Sequence, residues 1–310
     1  MLTLTDVEAA RDRMAGRIRR TPLLAVGDAF GGTGWFKLEQ LQHTGTFKAR
    51  GAFNRILGAT EDGSLDPSVG IVVASGGNAG LANAFAAREL GVPATVFVPE
   101  TAPRVKVDRL RTYGAEVVLR GSEYAAAHDA AITHAQRTGA VYCHAYDQPP
   151  IAAGAGTLGL EVLEDLGGAV DTIVLAVGGG GLMAGVAAAT EGRAQVVGVE
   201  PVTIPTLHTA LAAGAPTDVR VSGIAADSLG ARRLGDIAHE VAVRTRVRSV
   251  LVGDDAIIAA RGLLWDRYRI VVEHGAAAAL AAVASGAYVP SPDERFVVVL
   301  CGGNTDPTTL

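Results

Sequence analysis

Thr172-Ile-Val-Leu-Ala-Val177 runs into Gly178-Gly-Gly-Gly181 and then Leu182. No charged residue falls between Thr172 and Thr190. Four glycines in the middle of the stretch nevertheless argue against a single membrane-spanning helix. Strand, glycine turn, helix is the better reading. Four glycines in a row exceed what a tight turn requires. Without Cβ atoms they expose a nest of N–H groups at a helix N-terminus, which suits a phosphate. The competing reading is a flexible turn.

The same alternation extends in both directions. Upstream, strands are predicted at 71–74, 94–98, 115–119 and 141–143, with helices at 78–90, 104–113 and 123–138 between them. Downstream, strands are predicted at 195–199, 249–252 and 295–300, with helices opening at Asp254 and Gly275. Apolar runs of four or five, each closed by a turn and a helix, imply βα units and parallel sheets. Nearer the start, a helix is expected from Thr5-Asp6 to about Arg19, a short strand at 35–39 and a helix at 47–57. Asp147-Gln-Pro-Pro150 reads as a crossing between domains, followed by a helix at 157–166. The fold class is α/β with two sheets.

Composition narrows the function. The chain has 310 residues, enough for about two domains. Hydrophobic residues make up 49% and charged residues 19%, so a large core forms and disorder is excluded. Net charge is −5, which leaves no basic footprint for nucleic acid. Cys143 and Cys301 make neither a disulfide framework nor a CxxC metal site, and a reducing cytoplasm is expected. The opening residues lack the basic and apolar regions of a signal peptide, so none is expected, and no membrane partner either.

Three further motifs carry chemistry. In Gly45-Thr-Phe-Lys48-Ala-Arg50-Gly51 a lysine sits between a glycine turn and a helix. A lysine amine becomes nucleophilic when desolvated or placed near positive charge, which Arg50 is the nearest residue to supply. A surface lysine is the bland reading. Ser75-Gly76-Gly77-Asn78-Ala79-Gly80 follows a strand and opens a helix, a place for a carboxylate or phosphate, or else a plain βα turn capped by Asn78. Val298-Val-Leu-Cys301-Gly-Gly-Asn304 ends a strand at the edge where open α/β sheets bind ligands. Cys143 reads as a buried small hydrophobe, the bland reading for Cys301 too. No HExxH or GxSxG is present, which removes metal and serine hydrolases. Gly179-x-Gly181-x-x-Ala184 with Glu200 at the next strand end also fits a dinucleotide fingerprint, so an NAD(P)-dependent oxidoreductase stays open as an alternative.

Taken in order, these motifs resemble the serine/threonine dehydratases. These are pyridoxal-phosphate (PLP) enzymes of the tryptophan-synthase-β type, fold type II. The resemblance runs from Arg20-Thr-Pro-Leu-Leu24 through Lys37-Leu-Glu39, GTFKARGA at 45–52, SGGNAG at 75–80, GGGGL at 178–182 and ADSLGARR at 226–233 to CGGN at 301–304. It implies a larger PLP-binding domain from 1–42 and 149–310, a smaller domain from 43–148, and the cofactor in the cleft. It further implies that Lys48 is catalytic and carries PLP as a Schiff base, with Phe47 beside the ring and Asn78 on its 3-oxygen. Gly178, Gly179, Gly180, Gly181 and Leu182 would hold the phosphate, and Cys301 would face the ring nitrogen. Ser75, Gly76, Gly77, Asn78 and Ala79 would surround the carboxylate of a small amino-acid substrate.

The activity implied is β-elimination from a small β-hydroxy amino acid such as L-serine or L-threonine, giving a 2-oxo acid and ammonia. A PLP-dependent β-replacement enzyme is the alternative within the fold. Serine racemases carry a second base, a serine, where this chain has Gly76, so racemisation is not expected. Cys301, a weak hydrogen-bond partner, favours elimination over transamination. No regulatory domain of the biosynthetic threonine deaminases is expected after Asn304. Glu200, with Thr206, is read either as a ligand for a monovalent cation or as a strand-end acid at the surface. Asp227 and Ser228 are candidates for the substrate side chain, Glu273 for a supporting acid, and His43 for tuning substrate choice or for a turn. A cytoplasmic homodimer is expected.

Overall fold

The computed structural model describes residues 1–309. The chain opens with α1 (Leu4–Arg13), β1 (Leu23–Phe30), β2 (Gly32–Lys37) and α2 (Lys48–Glu61). Alternation follows: β3 (Ile71–Ala74), α3 (Asn78–Leu90), β4 (Ala94–Val98), α4 (Arg104–Thr112), β5 (Glu116–Leu119), α5 (Tyr124–Thr138) and β6 (Val141–Tyr142). The second half runs through α6 (Pro149–Asp165), β7 (Thr172–Ala176), α7 (Gly181–Ala189), β8 (Gln195–Pro201), α8 (Thr206–Ala213), α9 (Ala226–Leu229) and α10 (Asp236–Thr245). It closes with β9 (Arg248–Val252), α11 (Asp254–Tyr268), α12 (His274–Ala284) and β10 (Arg295–Val299). No helix among the described residues is long and apolar enough to cross a membrane.

Two sheets result, ordered β1-β2-β10-β7-β8-β9 and β5-β4-β3-β6. Every pairing is parallel except the edge hairpin β1–β2. β3, β4 and β7 are buried along their whole length, as strands covered by helices on both faces must be.

Three expectations need correction. α1 stops at Arg13, not near Arg19, and Gly16 follows at φ +73°. Its start is Thr3, whose side chain and that of Asp6 cap each other's backbone N–H. β1 escaped the sequence reading because its residues are mostly exposed and its register shifts twice, so no alternation survives. The helix expected at 157–166 begins eight residues earlier, as α6 at Pro149, with proline in its first turn, where a missing N–H costs nothing.

The glycines that hid α6 explain its packing. A Cβ at Gly154 would lie 2.6 Å from the Arg50 carbonyl of α2, and one at Gly156 would lie 2.4 Å from the Gly185 carbonyl of α7. α6 therefore touches α2 and α7 backbone to backbone.

Beside that contact lies a buried charge network. Arg50 meets Glu39 through Nε and Nη2 at 2.9 and 2.8 Å, and Glu161 through Nη1 at 2.6 Å. Lys37 meets Glu161 at 2.6 Å. Burial works against the Arg50 charge, and Glu39 and Glu161 more than offset it, leaving the guanidinium above its ordinary value. Two cations and two carboxylates balance, which is the condition for burying them. Arg50→Ala leaves the buried Glu39 without a cation and Glu161 with Lys37 alone, so urea denaturation is expected to show a loss of about 3–5 kcal/mol in unfolding free energy. A loss below about 1 kcal/mol, the range of an exposed ion pair, would contradict this account of the network.

Candidate active site

Lys48 is the first residue of α2. The residues before it are pinned to the other end of the chain: Thr46 bridges Gly302, and the Phe47 N–H donates to the Cys301 carbonyl at 3.2 Å. The Lys48 amine donates to the Ala145 carbonyl at 3.2 Å and lies 4.8 Å from the centre of the Phe47 ring. It borders a cleft lined also by Ala79, His144, Tyr146 and Leu182. Burial pushes the amine below the usual lysine value, with the Glu273 charge pulling the other way. Arg50, the cation expected to act on it, is committed to the buried network instead.

The four glycines form a strand-to-helix turn. Among the described residues, no N–H from Gly178 to Met183 reaches a protein acceptor. Gly180 sits at φ +88°, and a Cβ there would fall 2.4 Å from Ala238 Cβ. At Gly179 a Cβ would meet the Tyr146 ring at 2.4 Å. Only glycine permits this row of free donors, and an anion of tetrahedral shape is what they fit.

Ser75, Gly76 and Gly77 lead into α3, which opens with Asn78 and Ala79. Ser75 Oγ accepts from the Gly77 N–H at 3.2 Å. The N–H groups of Gly76, Asn78 and Ala79 have no protein acceptor among the described residues. Asn78 is held at both ends. Its Nδ2 donates to the two Glu273 oxygens at 2.9 and 3.0 Å, and its Oδ1 accepts from Asn304 at 2.8 Å. The Cys301 thiol is buried, and burial followed by the Glu273 charge pushes it far up, so it stays protonated.

Other candidates take up different work. Glu200 is fully buried, which corrects its reading as a surface acid. Its carboxylate accepts from Thr206 Oγ1 and from the Leu207 and His208 N–H groups, at 2.9, 2.6 and 2.9 Å, and so caps α8. A dinucleotide site would need that acid free. Asp227 is exposed and paired with Lys106. Ser228 Oγ accepts from the Gly275 N–H at 3.0 Å and so supports the start of α12. His43 stacks on Phe85 at 4.9 Å. Cys143 is a buried thiol pushed up to about 12 by burial.

Sequence reasoning missed Asn304, although it ends the quoted CGGN motif. It also missed His144, whose Nδ1 accepts the N–H groups of Tyr146 and Asp147 at 3.2 and 2.8 Å and so shapes the turn under Lys48.

The description of the pyridoxal-phosphate dependent enzymes matches residues 14–302. The chain belongs to that family. It is 37% identical to the L-threonine ammonia-lyase of Geobacter sulfurreducens over 100% of this chain and 77% of the relative. It is 37% identical to the phenylserine dehydratase of Ralstonia pickettii over 99% and 96% of the two chains. Among solved structures, maize serine racemase superposes with a TM-score of 0.92 at 30% identity, covering 99% of this chain and 95% of that one. The fold is accordingly that of the fold type II PLP enzymes.

The residues present fit pyridoxal phosphate: a desolvated lysine amine for its aldehyde, a row of free N–H groups for its phosphate, and a flat aromatic ring beside both. Gly180→Ala places a side chain at positive φ and against Ala238. Fluorescence titration of the apoprotein with pyridoxal phosphate is expected to show affinity weakened about tenfold or more, equivalent to about 1.4 kcal/mol. Unchanged affinity would contradict the assignment of this turn.

Proposed function

We propose that the protein is a lyase that removes the β-hydroxyl and the amine from a small β-hydroxy amino acid such as L-serine or L-threonine, releasing a 2-oxo acid and ammonia. The observation that carries the reading is the desolvated Lys48 amine facing one cleft between the free N–H groups at the starts of α3 and α7. Relatives named ammonia-lyase and dehydratase support it. Residues 1–42 and 149–310 would form the larger, cofactor-binding unit and 43–148 the smaller one. The enzyme would act in the cytoplasm as a homodimer.

Bound pyridoxal phosphate supplies an aldehyde carbon for the substrate amine and a ring that takes up electrons from the substrate α-carbon. The chain does the rest. Gly178 to Leu182 would bind the phosphate oxygens through N–H groups. Phe47, whose ring lies beside Lys48, would flank the cofactor. The N–H groups of Gly76, Asn78 and Ala79, with the Ser75 hydroxyl, orient the substrate carboxylate. Lys48 Nζ, whose charged form is disfavoured by burial, accepts the α-proton. Cys301 stays a neutral thiol and would lend the ring nitrogen no charge, which favours loss of the β-hydroxyl. Gly76 has no side chain to deliver a proton to the opposite face, which argues for elimination over racemisation.

A monovalent cation beside Glu200 and Thr206 belongs to the same proposal. It would draw on oxygens that now accept from α8. Activity that rises when potassium replaces tetramethylammonium is the expected sign; indifference removes the cation from the reading.

The direct test compares wild type with Lys48→Ala by visible absorption and 2-oxo acid release, with L-serine, L-threonine and phenylserine as substrates. Wild type is expected to absorb in the visible and release oxo acid. The variant is expected to lose the oxo acid and to show a changed spectrum. A coloured wild type that releases nothing would move the reading to β-replacement. A wild type that stays colourless with added cofactor would overturn the proposal.

A further inference from the structure

Glu273 precedes α12 and is held against the end of the last strand. Its N–H donates to the Gly302 carbonyl at 3.1 Å, and a Cβ at Gly302 would lie 2.5 Å from its Oε1. Only a glycine leaves room for the carboxyl there. From that position both oxygens accept from Asn78 Nδ2. The far side of the same amide accepts from Asn304 Nδ2, which also donates to the Thr44 carbonyl at 2.8 Å. An amide bonded this way cannot flip without setting donor against donor at one end and acceptor against acceptor at the other.

The carboxyl is also electrically placed. It is only 9% exposed and forms no ion pair among the described residues. The groups around it come from four elements: Lys48 on α2, Lys106 on α4, Asp227 on α9, and the Cys301 thiol after β10. Lys106 and Asp227 are paired with each other and largely cancel. The thiol is neutral. Lys48 is left as the one uncompensated partner.

Resting on the lyase reading above, we propose that Glu273 is a positioning residue for the reaction: it fixes the Asn78 amide toward the cofactor and governs the charge of the Lys48 amine. Burial raises its carboxyl to about 7, with the Asn78 bond and the Lys48 charge opposing. Ionised Glu273 in turn favours protonated Lys48. Each charge therefore favours the other. Only a neutral Lys48 amine accepts a proton, so the state of Glu273 sets the pH at which the reaction begins.

Glu273→Gln keeps the shape and removes the charge. Charged Lys48 then loses its stabilising partner, and its pKa falls further. In the holoenzyme the Lys48 nitrogen is bonded to the cofactor, and the visible absorption reads whether that nitrogen carries a proton, which a charged Glu273 favours as it does on the free amine; it is titrated with pH for wild type, Glu273→Gln and Glu273→Asp. The midpoint is expected to move to lower pH by about one unit or more in the glutamine variant and to return toward wild type in the aspartate variant. Coincident midpoints in wild type and Glu273→Gln would overturn the proposal. Should the glutamine variant not retain cofactor, the apoproteins are compared by the pH dependence of Lys48 reductive methylation, with Lys48→Ala as the blank. The same downward shift is expected, and its absence overturns the proposal equally. A colourless wild type would instead count against the lyase reading, and the methylation experiment would still decide the role of Glu273.

Discussion

The site depends on how closely α6 lies to its two neighbours. Gly154 meets the backbone of α2, and Gly156 meets that of α7. α2 begins with Lys48 and α7 begins with Gly181. The amine and the anion cradle are thus fixed relative to one another by helix backbones in contact. Side chains longer than hydrogen at those positions would push the helices apart and separate the two halves of the chemistry. The buried pairing of Arg50 and Lys37 with Glu39 and Glu161 locks the same helices to β2 and its following turn. Such a network contributes little net free energy, and its geometry permits one arrangement.

Much of the recognition is built without charged side chains. N–H groups at two helix starts are left free for anions, a thiol too buried to ionise closes the last strand, and the one amine is held in low dielectric. Fixed dipoles of this kind need no rearrangement as charge develops. The few ionisable groups kept nearby, Lys48 and Glu273, are consequently strong influences on each other. Charges farther out are compensated, Lys106 by pairing with Asp227 and Asp147 by accepting N–H groups at the start of α10.

The sequence was most readable where burial was complete. β3, β4 and β7 are covered on both faces, and their unbroken apolar runs place them within a residue of where they lie. β1 is exposed and irregular, and α6 begins with prolines and glycines, so both looked like breaks. Lys48, the 178–181 glycines, Asn78 and Cys301 stood out because each lies in a short local motif. Glu200 and Asn304 did not reveal their roles. Glu200 acts on a helix that begins six residues later, through N–H groups that no residue type announces. Asn304 acts on Asn78 across 226 positions of chain, and Glu273 on the same residue across 195. Partners that distant are set by the meeting of two sheets.

The central claim is that Lys48 is the residue that takes up the cofactor. The most direct measurement is borohydride reduction of the protein loaded with pyridoxal phosphate, followed by peptide mapping by mass spectrometry. The account predicts a phosphopyridoxyl group on the peptide containing Lys48 and on no other lysine. A label on Lys37 or Lys106, or a protein left unlabelled after saturation with the cofactor, would contradict it.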